Sequence, residues 1–353
     1  MDTKFLQILQ KKYFIARMAG MCLFFLMLLT IMLSVMLGRA DIGVESVLKI
    51  ILAKASGKEI FLNGITQAQE AIVWSIRLPR ILTAVLVGSG LAVAGAVFQS
   101  LLMNPLADSY TMGVSTGAAF GAVLGIYLNL FSDSVQLPIT LCAFSGSFLT
   151  LLLVVSIAKV KGYLNSANLI IAGIIVSSIL SAAISFLKSA SGEQVAAIVY
   201  WLMGSLAARS WDHVLLGFPL ILSGILICTY YAEDLNIMCL GDHEARALGI
   251  DVQKLRMIFL ITGSLITAVC VSVSGIIGFI GLIVPHMLRF IIGSDNRMLI
   301  PLSALCGGEL LLLADTGTRA LLNIELPVGV ITTLLGGPFF IYIFITRNKT
   351  LHQ

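Results

Sequence analysis

Ten runs with almost no charge follow one another along the chain, at 20–38, 80–103, 113–131, 138–158, 167–187, 212–231, 256–273, 276–292, 299–314 and 328–346. A bilayer core about 30 Å thick takes about 20 helical residues at 1.5 Å rise each. Each run is therefore close to the length that crosses a membrane once. Hydrophobic residues make up 58% of the chain and charged ones 11%, against roughly 25% charged in soluble domains. Open strands leave backbone groups unpaired in lipid, and the residue alternation of a barrel is absent. The pattern predicts an all-α integral membrane protein with about ten transmembrane helices, folded as a single domain over 1–353. The first run follows a basic stretch, but Arg39-Ala40-Asp41 is a poor cleavage site. Residues 20–38 read as a retained anchor behind a cytosolic segment, 1–19.

Basic residues near span ends set orientation. With the N-terminus inside, 13 of the 22 Lys and Arg fall on the inner side, among them Lys11, Arg17, Arg246, Lys254, Arg256, Arg289 and Arg297. The nine outer ones include Arg39, Arg77, Arg80, Arg209 and Arg319. A net charge of +4 leaves no nucleic-acid footprint. The six cysteines lie mostly within spans with no CxxC pair, which reads as apolar packing.

The P-loop pattern GxxxxGK[ST] is absent, so the chain has no such cradle for ATP phosphates. HExxH is absent too, and the four histidines are scattered. No catalytic residue and no metal site is expected. Gly113, Gly117, Gly121 and Gly125 recur every four residues and line one helix face, where a neighbour can approach closely. Residues 92–106 and 272–286 echo each other at an offset of 180, which suggests an inverted repeat. Glu309 lies inside an apolar run; burial against a polar partner, exposure to an aqueous path and a neutral state all remain open. The longest polar inner loop is 231–256. Within it Gly249 is placed to stop a short helix, which is either a solvated connector or a knob for a cytosolic partner. Arg77 and Arg80 lie three apart around Pro79. They share a face if the turn is helical, and Pro79 suits a first helical turn, so a span is expected to begin here with both guanidiniums at the outer surface. Such arginines either snorkel to lipid headgroups or grip carboxylates.

Several stretches, in order, carry a resemblance: "RLPRILTAVLVGSGLAVAGAVFQSLLMNPLADSYTMGVSTGAAFGA" (77–122), "GDHEARALGI" (241–250), "GIIGFIGLIVPHMLRFIIGSDNR" (275–297), "LLLADTGTR" (311–319) and "ELPVGVITTLLGGPFFIY" (325–342). From about residue 70 onward the chain resembles the permease subunits of type II ABC importers, the FecCD-type family that takes up ferric siderophores, haem and cobalamin. Two positions depart from the family pattern: Ser109, where proline is usual, and Glu309, where a small or neutral residue is expected.

The resemblance implies the type II permease fold in the cytoplasmic (inner) membrane and pairing with a second permease copy as a homodimer or close heterodimer. It implies two cytosolic ATP-binding subunits, which use ATP and Mg, and an extracytoplasmic binding protein; this chain itself would bind no cofactor. It makes Glu244, Ala245, Arg246, Ala247, Leu248 and Gly249 the contact to the ATPase. Arg77, Arg80 and Arg319 would clasp acidic residues of the binding protein, and Asn165, Ser166 and Ala167 would form the cytoplasmic gate. The cargo implied is a metal chelate, ferric siderophore first, then haem or cobalamin. From a different class, an ion-gradient-driven secondary transporter stays open, with Glu309 as its key group.

Overall fold

The computed structural model describes residues 3–38, 40, 42–130, 136–159, 162–321 and 325–350. Helices α1 (Thr3–Met36) and α2 (Val44–Ser56) are followed by a long α3 (Gln67–Leu101). Then come α4 (Val114–Leu130), α5 (Ile139–Ala158), α6 (Ser166–Ala190), the short α7 (Val195–Leu202) and α8 (Trp211–Tyr230). Two short helices, α9 (Ala232–Met238) and α10 (Asp242–Ala247), lie in the long polar loop. The chain ends with α11 (Val252–Ser274), α12 (Ile280–Ile292), α13 (Asn296–Leu321) and α14 (Val328–Thr350). Among the described residues, seven helices are long and apolar enough to cross a membrane, and α4, α12 and the first part of α14 are shorter apolar helices. Together they coincide with the ten expected apolar runs, seven as full-length spans and three as shorter helices.

Helices α3 and α11 form the centre, each with 78% of its apolar window buried. They run antiparallel: Gly90 faces Cys270, and Phe98 faces Gly263. Helix α13 lies along the other side of α3, so close that the Ser89 hydroxyl donates to the Ala304 carbonyl at 2.7 Å. The glycines of α4 meet α5 directly. A Cβ on Gly121 would overlap the Cys142 carbonyl, and one on Gly125 would stand 2.9 Å from Cys142 Sγ. That face is a packing seam. All six cysteines are free.

Three expectations are corrected. First, no span begins at Pro79. Helix α3 starts twelve residues earlier, where Thr66 and Gln69 close a capping box. Residues Ala71–Arg77 form a π-helical turn in which the Leu78 N–H reaches the Val73 carbonyl. Proline donates no N–H to the ladder, and the wider turn before it lets the helix run through. Second, 276–292 is not a full span. Helix α12 has 13 residues, about 20 Å of rise. It starts against the last third of α3, where Gly95 abuts the Gly281 carbonyl. Non-helical backbone at this depth is tolerated where protein buries it. Third, the echo at offset 180 joins unlike places: Gly95 is inside helix α3, whereas Gly275 sits in a loop with φ +70. The segment 1–19 is the start of α1 over its described part, rather than a separate tail.

Candidate functional site

The residues expected to be functional lie at the two ends of the bundle. At the inner end, helix α10 stands out as a knob. Gly241 precedes it with φ +125, and Gly249 follows with φ +85. The Gly249 N–H donates to the Arg246 carbonyl at 2.9 Å and the Ile250 N–H to the Ala245 carbonyl at 3.0 Å. This is the Schellman closure, which needs a left-handed residue where Gly249 stands. Ala245 is fully buried beneath the knob, so it anchors the helix and is not available to a partner. Glu244, Arg246, Ala247, Leu248 and Gly249 are exposed, with Leu248 62% accessible.

Helix α9 is bolted to the α12–α13 corner. Asn236 donates to Asp295 at 2.7 Å and accepts from the Asn296 N–H at 2.8 Å. Partial burial works against the Asp295 charge, yet hydrogen bonds from Arg297 and Asn236 hold its carboxyl down at about 2.

The expected gate residues lie beside this assembly. Asn165 caps α6, its side-chain oxygen accepting from the Asn168 N–H at 2.7 Å. The Ser166 hydroxyl donates to the Leu101 carbonyl at the end of α3, at 3.2 Å. Asn165 and Ala167 are exposed. From there α6 presents an open face that includes Ile171, Ile174, Ser178 and Ser185. A separate cleft of about 570 Å³ opens between Tyr110, Met203, Phe279 and Thr333. Phe279 adopts φ +69, a strained conformation for a bulky residue, and its ring packs on Gly336.

At the outer end the arginines are not free forks, which corrects the expected exposure. Arg77 is 5% accessible. It donates to the carbonyls of Val35 (2.6 Å), Met36 (2.9 Å) and Ala40 (2.6 Å), and so caps the unpaired C-terminal end of α1. Arg80 grips the fully buried Asp315 through Nε (3.1 Å) and Nη2 (2.8 Å). Arg319 donates from Nε to the same carboxylate at 3.2 Å and reaches the Ser34 carbonyl at 3.4 Å. Glu325 stands 4.0 Å from Arg80. Arg209 lies near enough for Arg80 to add to the effect of burial, which lowers the Arg209 pKa. Among the described residues, two guanidiniums, Arg80 and Arg319, thus meet the Asp315 carboxylate, with Glu325 at the edge of the pair. Because the buried arginines hold the fold, Arg77→Glu with Arg80→Glu is expected to abolish monodisperse protein in detergent gel filtration. That variant therefore cannot isolate a docking role.

Glu309 is buried, its Oε1 accepting from Thr30 at 2.7 Å, while Oε2 has no partner among the described residues. It sits between α13 and α1 and lines none of the described cavities. The contact shown is the polar-partner alternative. Residues 113–117 have the spacing G-x-S-x-G, but Ser115 is fully buried and its hydroxyl donates to Ser109 at 2.9 Å, so it is no exposed nucleophile. The sequence reading missed α2, α7 and the true start of α3. The capping pattern at Thr66–Gln69 and the buried Val47, Ile50 and Ala53, three apart along α2, were the available signals. Ser134, which lies in the loop expected on the outer side, is outside the described residues.

A model of the FecCD transport family matches residues 26–346. The cobalamin import system permease of Halobacterium salinarum is 41% identical over 285 residues, 81% of this chain and 76% of that protein. The hemin transport system permease of Yersinia pestis is 37% identical over 335 residues, 92% of this chain and 95% of that protein. A solved metal-chelate type ABC transporter in an inward-facing conformation aligns with TM-score 0.78 and 32% identity, covering 93% of this chain and 98% of that one.

Proposed function

This chain belongs to the FecCD transport family, a multi-pass permease of the cytoplasmic membrane, and on that premise we propose that it is the membrane subunit of an ATP-driven importer of a metal chelate. Relatives named for cobalamin and hemin transport support that cargo class, with ferric siderophore, haem and cobalamin as its members. ATP and Mg are used by two cytosolic ATP-binding subunits, and this chain contributes no catalytic group. A second copy packs against it as a homodimer, and the open face of α6, apolar at Ile171 and Ile174 with hydroxyls at Ser178 and Ser185, is offered to that copy or to the pathway. Transport is a two-state gate: closure of the ATP-binding subunits displaces the knobs and shifts which end of the pathway is open.

The observation that carries the reading is the knob. Leu248 is 62% exposed on a cytosolic helix that Gly249 closes and Ala245 anchors, with Glu244 and Arg246 beside it. An apolar tip rimmed by charge on a rigid mount is built to seat in a groove. At the outer end, docking of an acidic binding protein falls to Arg80 and Arg319. Exposed pairs give roughly 0–1 kcal/mol each, so docking depends on several together and weakens with salt. The secondary-transporter alternative gains nothing from Glu309, which lies off the described cavities.

The test is co-expression with a candidate ATPase. The purified chain alone is expected to hydrolyse no ATP, and the ATPase to copurify with it. Leu248→Asp with Ala247→Asp should leave the permease monodisperse but lose the ATPase, or lower uptake of ferric hydroxamate, hemin and cobalamin at least tenfold. Undiminished uptake by the chain alone, in ATP-free liposomes carrying an ion gradient, would overturn the reading.

A further inference from the structure

The knob and the gate share one side chain. Arg256, on the second turn of α11, is 2% accessible. Its Nη2 donates to Asp242 Oδ1 at 2.7 Å and its Nη1 to Asp242 Oδ2 at 3.1 Å. The same Nη1 also donates to the Leu164 carbonyl. Asp242 is the first residue of α10, and Leu164 directly precedes Asn165, the cap of α6. One turn earlier on α11, Gln253 grips the same residue from the other side. Its Oε1 accepts from the Leu164 N–H at 3.0 Å, and its Nε2 donates to the Leu164 carbonyl at 3.1 Å. Both main-chain groups of Leu164 are therefore held by side chains of α11.

The two loop helices are fastened differently. Helix α9 is tied to Asp295, Asn296 and Arg297 at the α12–α13 corner. Among the described residues the only ion pair made by α10 is Asp242 with Arg256. A displacement of α10 relative to the bundle therefore loads Arg256 first. A guanidinium is a planar fork with fixed spacing between its donors. A pull at the Asp242 side is passed rigidly to the Leu164 side, and Leu164 is joined by one peptide bond to the start of α6. The Nε of Arg256 has no hydrogen-bond partner among the described residues, so the fork carries one donor that this conformation does not use.

We propose that Arg256 is the positioning residue through which the α10 knob moves the gate at Asn165–Ala167, with Gln253 completing the clasp on Leu164. This rests on the reading of α10 as a docking knob for an ATPase. Lysine at 256 keeps the charge but has a single nitrogen and cannot bracket Asp242 while holding Leu164. Gln253→Ala removes two of the three side-chain bonds to Leu164 without touching α10.

The test uses the complete complex with its ATPase in nanodiscs, with one cysteine at Ala167 in a cysteine-free background. The rate of labelling by an impermeant maleimide is read with no nucleotide and after trapping with ATP and vanadate, so no cargo is needed. In the parent complex, trapping is expected to change the labelling rate at least tenfold. In Arg256→Lys and in Gln253→Ala that change should shrink to threefold or less, while vanadate-sensitive ATP hydrolysis stays within twofold. A purely structural role would lower hydrolysis and labelling together, in step with the amount of assembled complex. If Arg256→Lys does not assemble, Gln253→Ala alone decides. A full nucleotide response in the assembled variants overturns the proposal. So does a parent complex whose position 167 ignores nucleotide, since there is then no movement to transmit. If the unaltered chain never binds an ATPase, the parent reading fails, and copurification shows that before any labelling is done.

Discussion

Asp315→Leu is expected to leave little folded protein. Asp315 is fully buried and accepts from Arg80 at 2.8 and 3.1 Å and from Arg319 at 3.2 Å. Those contacts join α3 to α13, and the Arg319 contact to Ser34 brings in α1. Removing one partner of a buried pair leaves an uncompensated charge and destabilises by about 3–5 kcal/mol. Here two guanidiniums lose their shared carboxylate at once. With native stabilities of about 5–15 kcal/mol, that is a large fraction of the total. Thermal unfolding in detergent, followed by fluorescence-detected gel filtration, should show a strongly lowered midpoint or only aggregate. Removing Arg80 together with Asp315 should be milder than removing Asp315 alone, because the double change leaves one fewer stranded charge. A midpoint for Asp315→Leu within a few degrees of the parent would show that water, not Asp315, satisfies these arginines.

A single methyl group at Gly95 is expected to be almost as harmful. A Cβ there would overlap the carbonyl of Gly281 and stand 2.5 Å from its carbon and 2.6 Å from its Cα. All three atoms are backbone, so no side chain can swing aside. Helices α3 and α12 would have to separate along their whole contact. Overpacking a core costs about 1–3 kcal/mol where side chains can adjust, and a backbone obstacle puts Gly95→Ala at or above the top of that range. The control is Gly217 on α8, whose Cβ would meet only Ile221 Cδ1 at 3.7 Å. Alanine in place of a helical glycine is worth up to about 1 kcal/mol, so Gly217→Ala should be neutral or stabilising. Equal midpoints for the two variants would refute the close contact at Gly95.

How far the sequence could be read depends on the range of the forces involved. The ten spans were legible because lipid demands an uninterrupted apolar helix, and run length records that demand directly. The break at Gly249 was legible because one residue with no Cβ meets a local conformational need. The short helices α2 and α7 were not, since segments of 13 and 8 residues fall below the length that signals a span. Pro79 misled because proline marks a helix start in most settings. The π turn that admits it depends on Ala71–Arg77 as a group, not on the proline.

The gate and the knob could be listed from the sequence as separate motifs, but nothing in the spacing of Leu164, Asp242 and Arg256 says that they touch. Helix α10 folding back over the first turns of α11 brings Asp242 to Arg256, 14 residues on, and the start of α6 lying beside α11 brings in Leu164 from 92 residues away.

The sequence by itself determined the membrane class, the order of the apolar runs, and the stop of the short loop helix at Gly249. Each follows from a local rule: helical rise against bilayer thickness, or backbone freedom at one glycine. Only the tertiary structure decided what the arginines do. Arg77 and Arg80 read identically as cations at a membrane edge, yet one caps the end of α1 and the other is locked to Asp315, 235 residues away. Charge at an edge specifies a need for a partner. Which partner answers it depends on the helix packed alongside, and that is set by close backbone contacts such as Ser89 with Ala304 and Gly95 with Gly281, which no local pattern encodes.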